Sequence, residues 1–453
     1  LVSAGTYVEN INYNSKNISV ISTDGPESTI IDGNENGATV LILDNVNNTA
    51  LLEGFTITNG SGWAYGPVYI GGGIAMRRNC SPTLRNLIIT DNHTIGDEDA
   101  GGGISLGENC NSLIEDVVIS NNTSEWGAGI SIKESNPTLI NVEFFGNVAS
   151  TTGGAAYIGV RSRPLFQAVT FHNNSATYYG GVAFIHDNSY PIFNQVTMTN
   201  NIAGTGAGAI IVNHRSTAYI INSIVWANLP NQIELNDDPD YLPASACVAY
   251  SDVQGGEDEV WMGTGSLDWR EGNIDQDPLF NSPGGRDFSL TPLSPCIDTG
   301  IGSYAFTANL SIDMELHDFC GCAPDMGAIE VFVAPAVITV PGDYLTIQGA
   351  IDAAQYSDTV LVSDGTYVEN IDFLGKDIVV LSVNGPEVTT IDGNSDGSVV
   401  SIVSGEANAI LEGFTISNGS GFVNEFGHYI AGGIACRNNS TPTLRNLVVE
   451  NNL

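Results

Sequence analysis

Positive charge is what this 453-residue sequence has least of: Lys and Arg total 13 against 51 Asp and Glu, with 6 His, for a formal net charge of −38. A field of that sign repels nucleic acid and anionic membrane surfaces, so neither is an expected partner. It also repels polyanionic sugars unless a cation bridges them, and its plainest use is solubility. Apolar runs approaching the ~20 residues of a membrane helix are missing, so no membrane span is expected. The seven Cys are odd in number and none forms a Cys-x-x-Cys pair, the nearest two being Cys320 and Cys322. That lack removes zinc-ligand spacing. A sustained 3.6-residue apolar stripe is lacking too, and with it helical bundles and coiled coils. No leader peptide is visible, but Leu1-Val-Ser-Ala-Gly-Thr-Tyr reads as the interior of a domain, so any targeting segment would lie upstream.

What is present is glycine, 52 residues of it, and Asn, often as Asn-Asn pairs. Both residues tolerate left-handed backbone, which points to a turn-rich all-β chain. The length exceeds one ordinary compact domain, whereas stacked repeats escape that limit because each unit packs only on its neighbours. A long repeat is visible directly. Leu1-Val-Ser-Ala-Gly-Thr-Tyr-Val-Glu-Asn recurs from Leu361, and Pro82-Thr-Leu-Arg-Asn-Leu recurs from Pro442, both at an offset of 360. The reading is one complete module with both chain ends inside modules, as in a fragment of a monomeric tandem array.

A shorter repeat sets the fold. Similar segments end at Asn92, Asn122, Asn147, Asn174, Asn201 and Asn228, with gaps of 30, 25, 27, 27 and 27 residues. Between them recurs a Gly-rich strand: Gly71-Gly-Gly-Ile, Gly101-Gly-Gly-Ile, Gly127-Ala-Gly-Ile, Gly153-Gly-Ala-Ala, Gly180-Gly-Val-Ala and Gly206-Ala-Gly-Ala. A period near 26 residues suits a coil of three short strands and three turns. Stacking such coils at ~4.8 Å aligns like residues. The six Asn should then form a ladder of side-chain amides, and Met76, Leu106, Ile132, Ile158, Ile185 and Ile211 an inward file.

The Gly-Gly strand, the apolar coil and the Asn file together resemble the pectin-lyase-like right-handed parallel β-helix superfamily. Phe144-Phe-Gly-Asn147 and Phe171-His-Asn-Asn174, with the Gly-Gly-Ala and Gly-Gly-Val strands, also resemble the Phe-x-x-Asn repeats of polymorphic outer-membrane adhesins. The resemblance covers roughly residues 1–230 and 337–453. It implies an all-β right-handed parallel β-helix at the bacterial cell surface or outside the cell, and says little about activity.

Three segments are expected: a β-helix over 1–230, an irregular closing cap over 231–333, and a second β-helix module over 334–453. The second module should open with a helix N-capped by Thr346, its face of Ile347, Ala350, Ile351 and Ala354 plugging the open core. Cys80 and Cys110 fall one coil apart, near enough for a disulfide or for two stacked thiols. One or two bridges among Cys247, Cys296, Cys320 and Cys322 would suit the cap, and Cys436, aligned with Met76, reads as a core thiol.

Chemistry is harder to find. A lyase needs a base for the C5 proton of a uronate and a cation on its carboxylate. Positions just after the inward file offer Arg77, Lys133 and His186 as outward groups, with Glu134, Asp187, Arg161 and His214 close by. Lys133, Arg161, His186 and Asp187 are the weak catalytic candidates, and a solvated face is the plainer account of them. Loops before the Gly-rich strands carry Trp63, Tyr65, Trp126, Tyr178 and Tyr179, which can stack on sugar rings. The longest coil adds Asp97, Glu98 and Asp99, which make calcium the one cofactor to consider. Asp392-Gly-Asn-Ser-Asp-Gly begins like a calcium loop but lacks its closing carboxylate, so it reads as a tight turn. The expectation is a secreted or cell-surface, adhesin-like or polysaccharide-binding protein without catalysis, its partner a polysaccharide or cell-surface glycan. A pectate-lyase-like enzyme is the alternative.

Overall fold

The computed structural model describes residues 1–94, 96, 99–235, 243–308, 310–314, 319, 323–331, 335–355, 357–423 and 429–453. Two units are distinct: Leu1–Phe319 with Ala323–Val331, and a second that runs to Leu453.

The first unit is a parallel β-solenoid. One face stacks Thr83–Thr90, Leu113–Ser120, Thr138–Phe145, Leu165–His172 and Ile192–Thr199 in parallel register. A second face stacks the Gly-rich strands Ile74–Arg77, Ile104–Leu106, Ile130–Lys133, Ala156–Gly159, Ala183–Ile185 and Ile210–Val212. A third, shorter face holds Thr123–Trp126, Val148–Thr152, Ser175–Ala176 and Ile202–Ala203. Alternate side chains point inward, so like residues meet like. Phe144 stacks on Phe171 with ring centroids 4.8 Å apart, and Phe166 on Phe193 at 4.9 Å.

The corners explain the Asn content. Each long strand is bent by a left-handed residue at Asn86, Asp116, Asn141, Ala168, Gln195 or Asn222, with φ between 50° and 56°. Asn and Asp reach that conformation at small cost because their short polar side chains bond locally.

The Asn ladder forms as expected. Asn147 donates its backbone N–H and its Nδ2 to Asn174 Oδ1, at 3.1 and 2.9 Å, and Nδ2 also reaches Ile119 O at 2.8 Å. Asn92, Asn122, Asn174 and Asn201 repeat this pattern on the next coil's Asn. The file ends where Asn228 donates to Gln232 Oε1 at 2.8 Å. A second file runs along another corner. Cys80 N donates to Cys110 Sγ at 3.3 Å, Cys110 N to Ser135 Oγ at 3.0 Å, and the series continues through Ser162, Ser189 and Ser216. The two cysteines are therefore members of a hydroxyl ladder, buried and present as thiols. Ser440, the counterpart of Cys80 one module on, takes the same role by accepting from Gly405 N at 3.0 Å.

Several expectations change. Val212, not Ile211, completes the inward file, because Ile185 pairs with Val212 while Ile211 pairs with outward Phe184. The corner holds one extra residue: Gly180 N donates to Ala207 O rather than to Gly206. A one-residue slip of this kind turns a side chain to the other face. The solenoid also runs past residue 230. Ile233–Leu235, Ser245–Ala249 and Ser266–Trp269 all pair in parallel on the coil before. The Asn file stops at Gln232, and a separate file runs from Ser223 through Ser251 to Asn273 at irregular spacing, so the Asn rhythm is lost from the sequence. The antiparallel hairpins Phe280–Ser282 with Asp287–Leu290, and Ser303–Thr307 with Leu310–Asp313, make up the irregular part. Cys247, on the solenoid strand Ser245–Ala249, and Cys296, in the irregular part, are buried free thiols, while Cys320 and Cys322 lie outside the described residues.

The second unit opens with the helix Ile347–Ala353, whose cap Thr346 accepts from Gly349 N, with Ile347, Ala350 and Ile351 buried. Glu369 adds a carboxylate at the same end, accepting from Ile347 N and Gln348 N at 2.9 Å each. Parallel coils follow, and Asn452 repeats the role of Asn92, accepting from Gly419 N at 2.8 Å. Asp392 closes a tight turn by accepting from Asn394 N at 2.9 Å. Cys436 pairs with Ile402 as Met76 does with Ile42, and in this structure it is an exposed free thiol rather than a core one.

Replacing Asn147 by Ala strips the acceptor from the buried N–H of Asn122 and from one of its Nδ2 hydrogens, the other keeping Ile89 O at 2.9 Å, and removes the amide donor to Ile119 O. A loss of about 3 kcal/mol or more is expected in denaturant unfolding, against under ~0.5 kcal/mol for exposed Asn36→Ala. In the second ladder, Cys110→Ser should keep stability within about 1 kcal/mol, whereas Cys110→Val leaves Cys80 N–H unpaired and should cost about 1–3 kcal/mol. Equal stability of the Ser and Val variants would refute the ladder role of the thiol.

Candidate site on the outer face of the glycine-rich strands

The same register that lines the core also lines the outside. Outward positions of the Gly-rich strands align Ser105, Ser131, Tyr157, Phe184, Ile211 and Glu234 in one file. Trp126 comes from the preceding short strand and stacks on Tyr157 with centroids 5.6 Å apart and planes 13° from parallel. Tyr157 stacks on Phe184 at 6.0 Å. Tyr179 lies 6.4 Å from Phe184, with Tyr178 a further 6.3 Å on. From Phe184 the contacts pass to His186 at 5.5 Å and then to His214 at 6.1 Å.

Sequence reading found Trp126, Tyr178 and Tyr179 but missed Tyr157 and Phe184, which join them. Their signal was the large aromatic at the outward position of two successive Gly-rich strands. The rings of Trp126, Tyr157 and Phe184 lie face to face, so they cover one another and form a spine. Tyr178 and Tyr179, 50% and 37% exposed, keep surface open to a ligand. Trp63 and Tyr65 belong to a separate group on an antiparallel hairpin, Trp63–Tyr65 with Val68–Ile70.

The candidate catalytic side chains are each engaged locally. Lys133 Nζ sits 4.9 Å and 5.0 Å from the ring centroids of Trp126 and Tyr157, a double cation–π contact. Arg161 is largely exposed on the following corner and pairs with Glu134 at 3.3 Å. His186 Nε2 and the Tyr157 hydroxyl share a hydrogen bond, and burial pulls the imidazole down to about 4, so it is neutral at pH 7. A Cβ at Gly159 would stand 2.5 Å from that nitrogen, so the glycine makes room for the ring. His186, Asp187, Asn188, His214 and Arg215 together line an open cleft of about 450 Å³. Arg77 corrects the expectation of an outward solvated group: it is 5% exposed, bonded to Ser105 Oγ at 3.2 Å and covered by Tyr65.

Of the acidic loop, Asp97 and Glu98 lie outside the described residues. Asp99 is buried, its Oδ1 accepting from Tyr69 N at 2.6 Å, so it fastens the aromatic hairpin. No group of three or more His, Cys, Asp and Glu arranged for a metal ion occurs among the described residues. Among the described residues no helix is long and apolar enough to cross a membrane.

Two further buried carboxyls escaped sequence reading. Burial raises Asp252, which accepts from Cys296 Sγ at 3.3 Å, to about 7, and raises Asp325 to about 6. No family model matches the chain, and no curated protein does.

These shifts set opposite pH dependences. The folded-state value of His186 is depressed, so its contribution is complete above about pH 6.5 and is lost as pH falls toward 4. The folded-state value of Asp252 is raised, so its contribution is complete below about pH 4 and is lost as pH rises through about 7. His186→Gln should therefore flatten the acid limb of the thermal-unfolding profile, and Asp252→Asn the limb between pH 4 and 7. An unchanged profile in either variant counts against the burial assigned to that group.

Proposed function

We propose that this chain is a secreted or cell-surface β-solenoid, akin to the pectin-lyase-like β-helices, that binds polysaccharide without catalysis. The observation that carries the reading is the continuous path Tyr178–Tyr179–Phe184–His186–His214, which leads from open aromatic surface into a polar cleft on one rigid face. Exposed tyrosines offer flat surface to the C–H faces of sugars, and the cleft offers Asp187, Asn188, His214 and Arg215 to their hydroxyls. Because coils repeat at the strand spacing, such a face suits an extended chain better than a small metabolite. Engagement of Lys133 by two rings, of Arg161 by Glu134 and of His186 by Tyr157 supports binding over β-elimination, which needs a base free to reach a C5 proton. An adhesin-like role follows from repetition, since linked modules gain avidity.

Pull-down on insoluble cellulose, xylan and chitin, with affinity electrophoresis in polygalacturonate and alginate, tests the proposal. At least one polymer should retain the protein, and Tyr178→Ala/Tyr179→Ala should weaken retention about tenfold or more. Undiminished retention by the double variant removes the tyrosines from the site. Growth of absorbance at 235 nm on polygalacturonate, lost in Lys133→Ala, would establish the lyase instead.

A further inference from the structure

The Asn ladder stops at Gln232, and beside its end the surface opens. Two adjoining hollows, of about 610 and 450 Å³, share Asn231 and Glu259 as common walls. The first reaches Gln232 and Gln254; the second reaches Trp261 and Met262, which are 49% and 43% exposed. Their backbone is fixed by the solenoid. Asn231 O accepts from Gly208 N at 2.8 Å, Trp261 N donates to Ile233 O at 3.1 Å, and Leu235 N donates to Trp261 O at 2.8 Å.

Within this rigid frame the Oδ1 of Asn231 is buried and has no hydrogen-bond partner among the described residues. An unmet acceptor of this kind is unfavourable until a donor arrives. The carboxamides of Gln232 and Gln254, by contrast, bond to each other at 3.3 Å and to Asn228 and Ala227. The lining therefore holds one waiting acceptor, the carboxylates of Asp258 and Glu259, and a half-exposed indole, with no Lys, Arg or His.

We propose that this groove is a second binding site, for a neutral, hydroxyl-rich oligosaccharide. The chemistry selects the class. The exposed Glu259 carboxylate accepts from sugar hydroxyls, Trp261 takes the C–H face of a pyranose ring, and the unmet Asn231 Oδ1, covered in the free protein, becomes a further acceptor when binding uncovers it. Asp258 and Glu259 repel uronates and sulfated sugars, for which the groove offers no counter-charge. The joined hollows have room for more than one sugar ring. Backbone pinned on both sides keeps the polar groups in place before binding, which limits the ordering cost. The inference rests on the reading of the chain as a polysaccharide binder and adds to it a second location and a ligand class.

Titration calorimetry of the whole chain with cellohexaose, maltohexaose, xylohexaose and mannohexaose tests it, with trigalacturonate as the charged comparison. At least one neutral hexaose should bind, and Trp261→Ala and Asn231→Leu should each weaken it about tenfold. Tyr178→Ala/Tyr179→Ala should leave this binding in place. Thermal unfolding checks that each variant is folded, and Glu259→Gln, an exposed change, gives a third readout through the admission of trigalacturonate. Hexaose binding that survives Trp261→Ala and Asn231→Leu but is lost in the tyrosine variant overturns the second site and leaves the first standing. Preference for trigalacturonate in the parent chain overturns the ligand class. Absence of binding to any polymer or oligosaccharide overturns both proposals.

Discussion

Everything in this molecule depends on one polar contact made repeatedly in a dry interior: a side-chain amide at a corner, bonded to the same amide one coil away. Backbone pairing between coils would hold parallel strands together without it, but would leave the corners with unmet N–H and C=O groups. Asn92, Asn122, Asn147, Asn174, Asn201 and Asn228 are each 1% exposed or less, so water cannot serve those groups. Asn answers the need by carrying a donor and an acceptor on one short stem, while the left-handed backbone of the corner falls on the residue before it, Asp91, Asn121, Gly146, Asn173, Asn200 or Ala227. Serine and cysteine do the same at a second corner with less capacity, since a hydroxyl or thiol has one hydrogen to donate where the amide has two.

The register that these corners impose has consequences outside the core. Alternation along each Gly-rich strand sends one residue in and the next out, and the outward residues of neighbouring coils then stand side by side. This is why Tyr157 and Phe184 meet, and why Trp126, arriving from a different strand, completes the stack. Small residues matter as much as large ones there. Gly107 lets Arg77 lie flat and Gly159 admits His186, since a Cβ at either would stand within 2.6 Å of the neighbouring side chain.

Much of this was legible in the sequence. The Asn spacing, the Gly-rich strands and the cap at Thr346 are local signals, and local geometry decides them. What was hidden depends on packing between distant segments. Ile211 and Val212 are equally apolar, and only the extra corner residue at Gly206 tells which one turns inward. The coils after residue 230 were disguised because the Asn file stops at Gln232, while the file that does continue, Ser223 to Ser251 to Asn273, is uneven in spacing and mixed in residue type. Arg77 reads as a surface cation until the hairpin carrying Tyr65 is seen to fold over it. Asp252 and Asp325 look like ordinary acids in an acidic chain, and only burial beside Cys296 and within the closing segment sets them apart. The site followed the same rule: individual aromatics were visible, while the path joining them required the register.

The single acceptor oxygen of each ladder Asn receives from the coil before it; its backbone N–H and one amide hydrogen pass to the coil after, and the other amide hydrogen returns to a carbonyl of the coil before, as from Asn147 to Ile119 O. Such a chain of give and take balances for any number of windings, and only its last member needs a different residue, here Gln232. Excision or duplication of one whole winding would leave no group stranded. Length in this architecture is thus a nearly free variable, set by gene rearrangement in steps of one winding, while the terminator that closes the series is the part that cannot be copied into the middle.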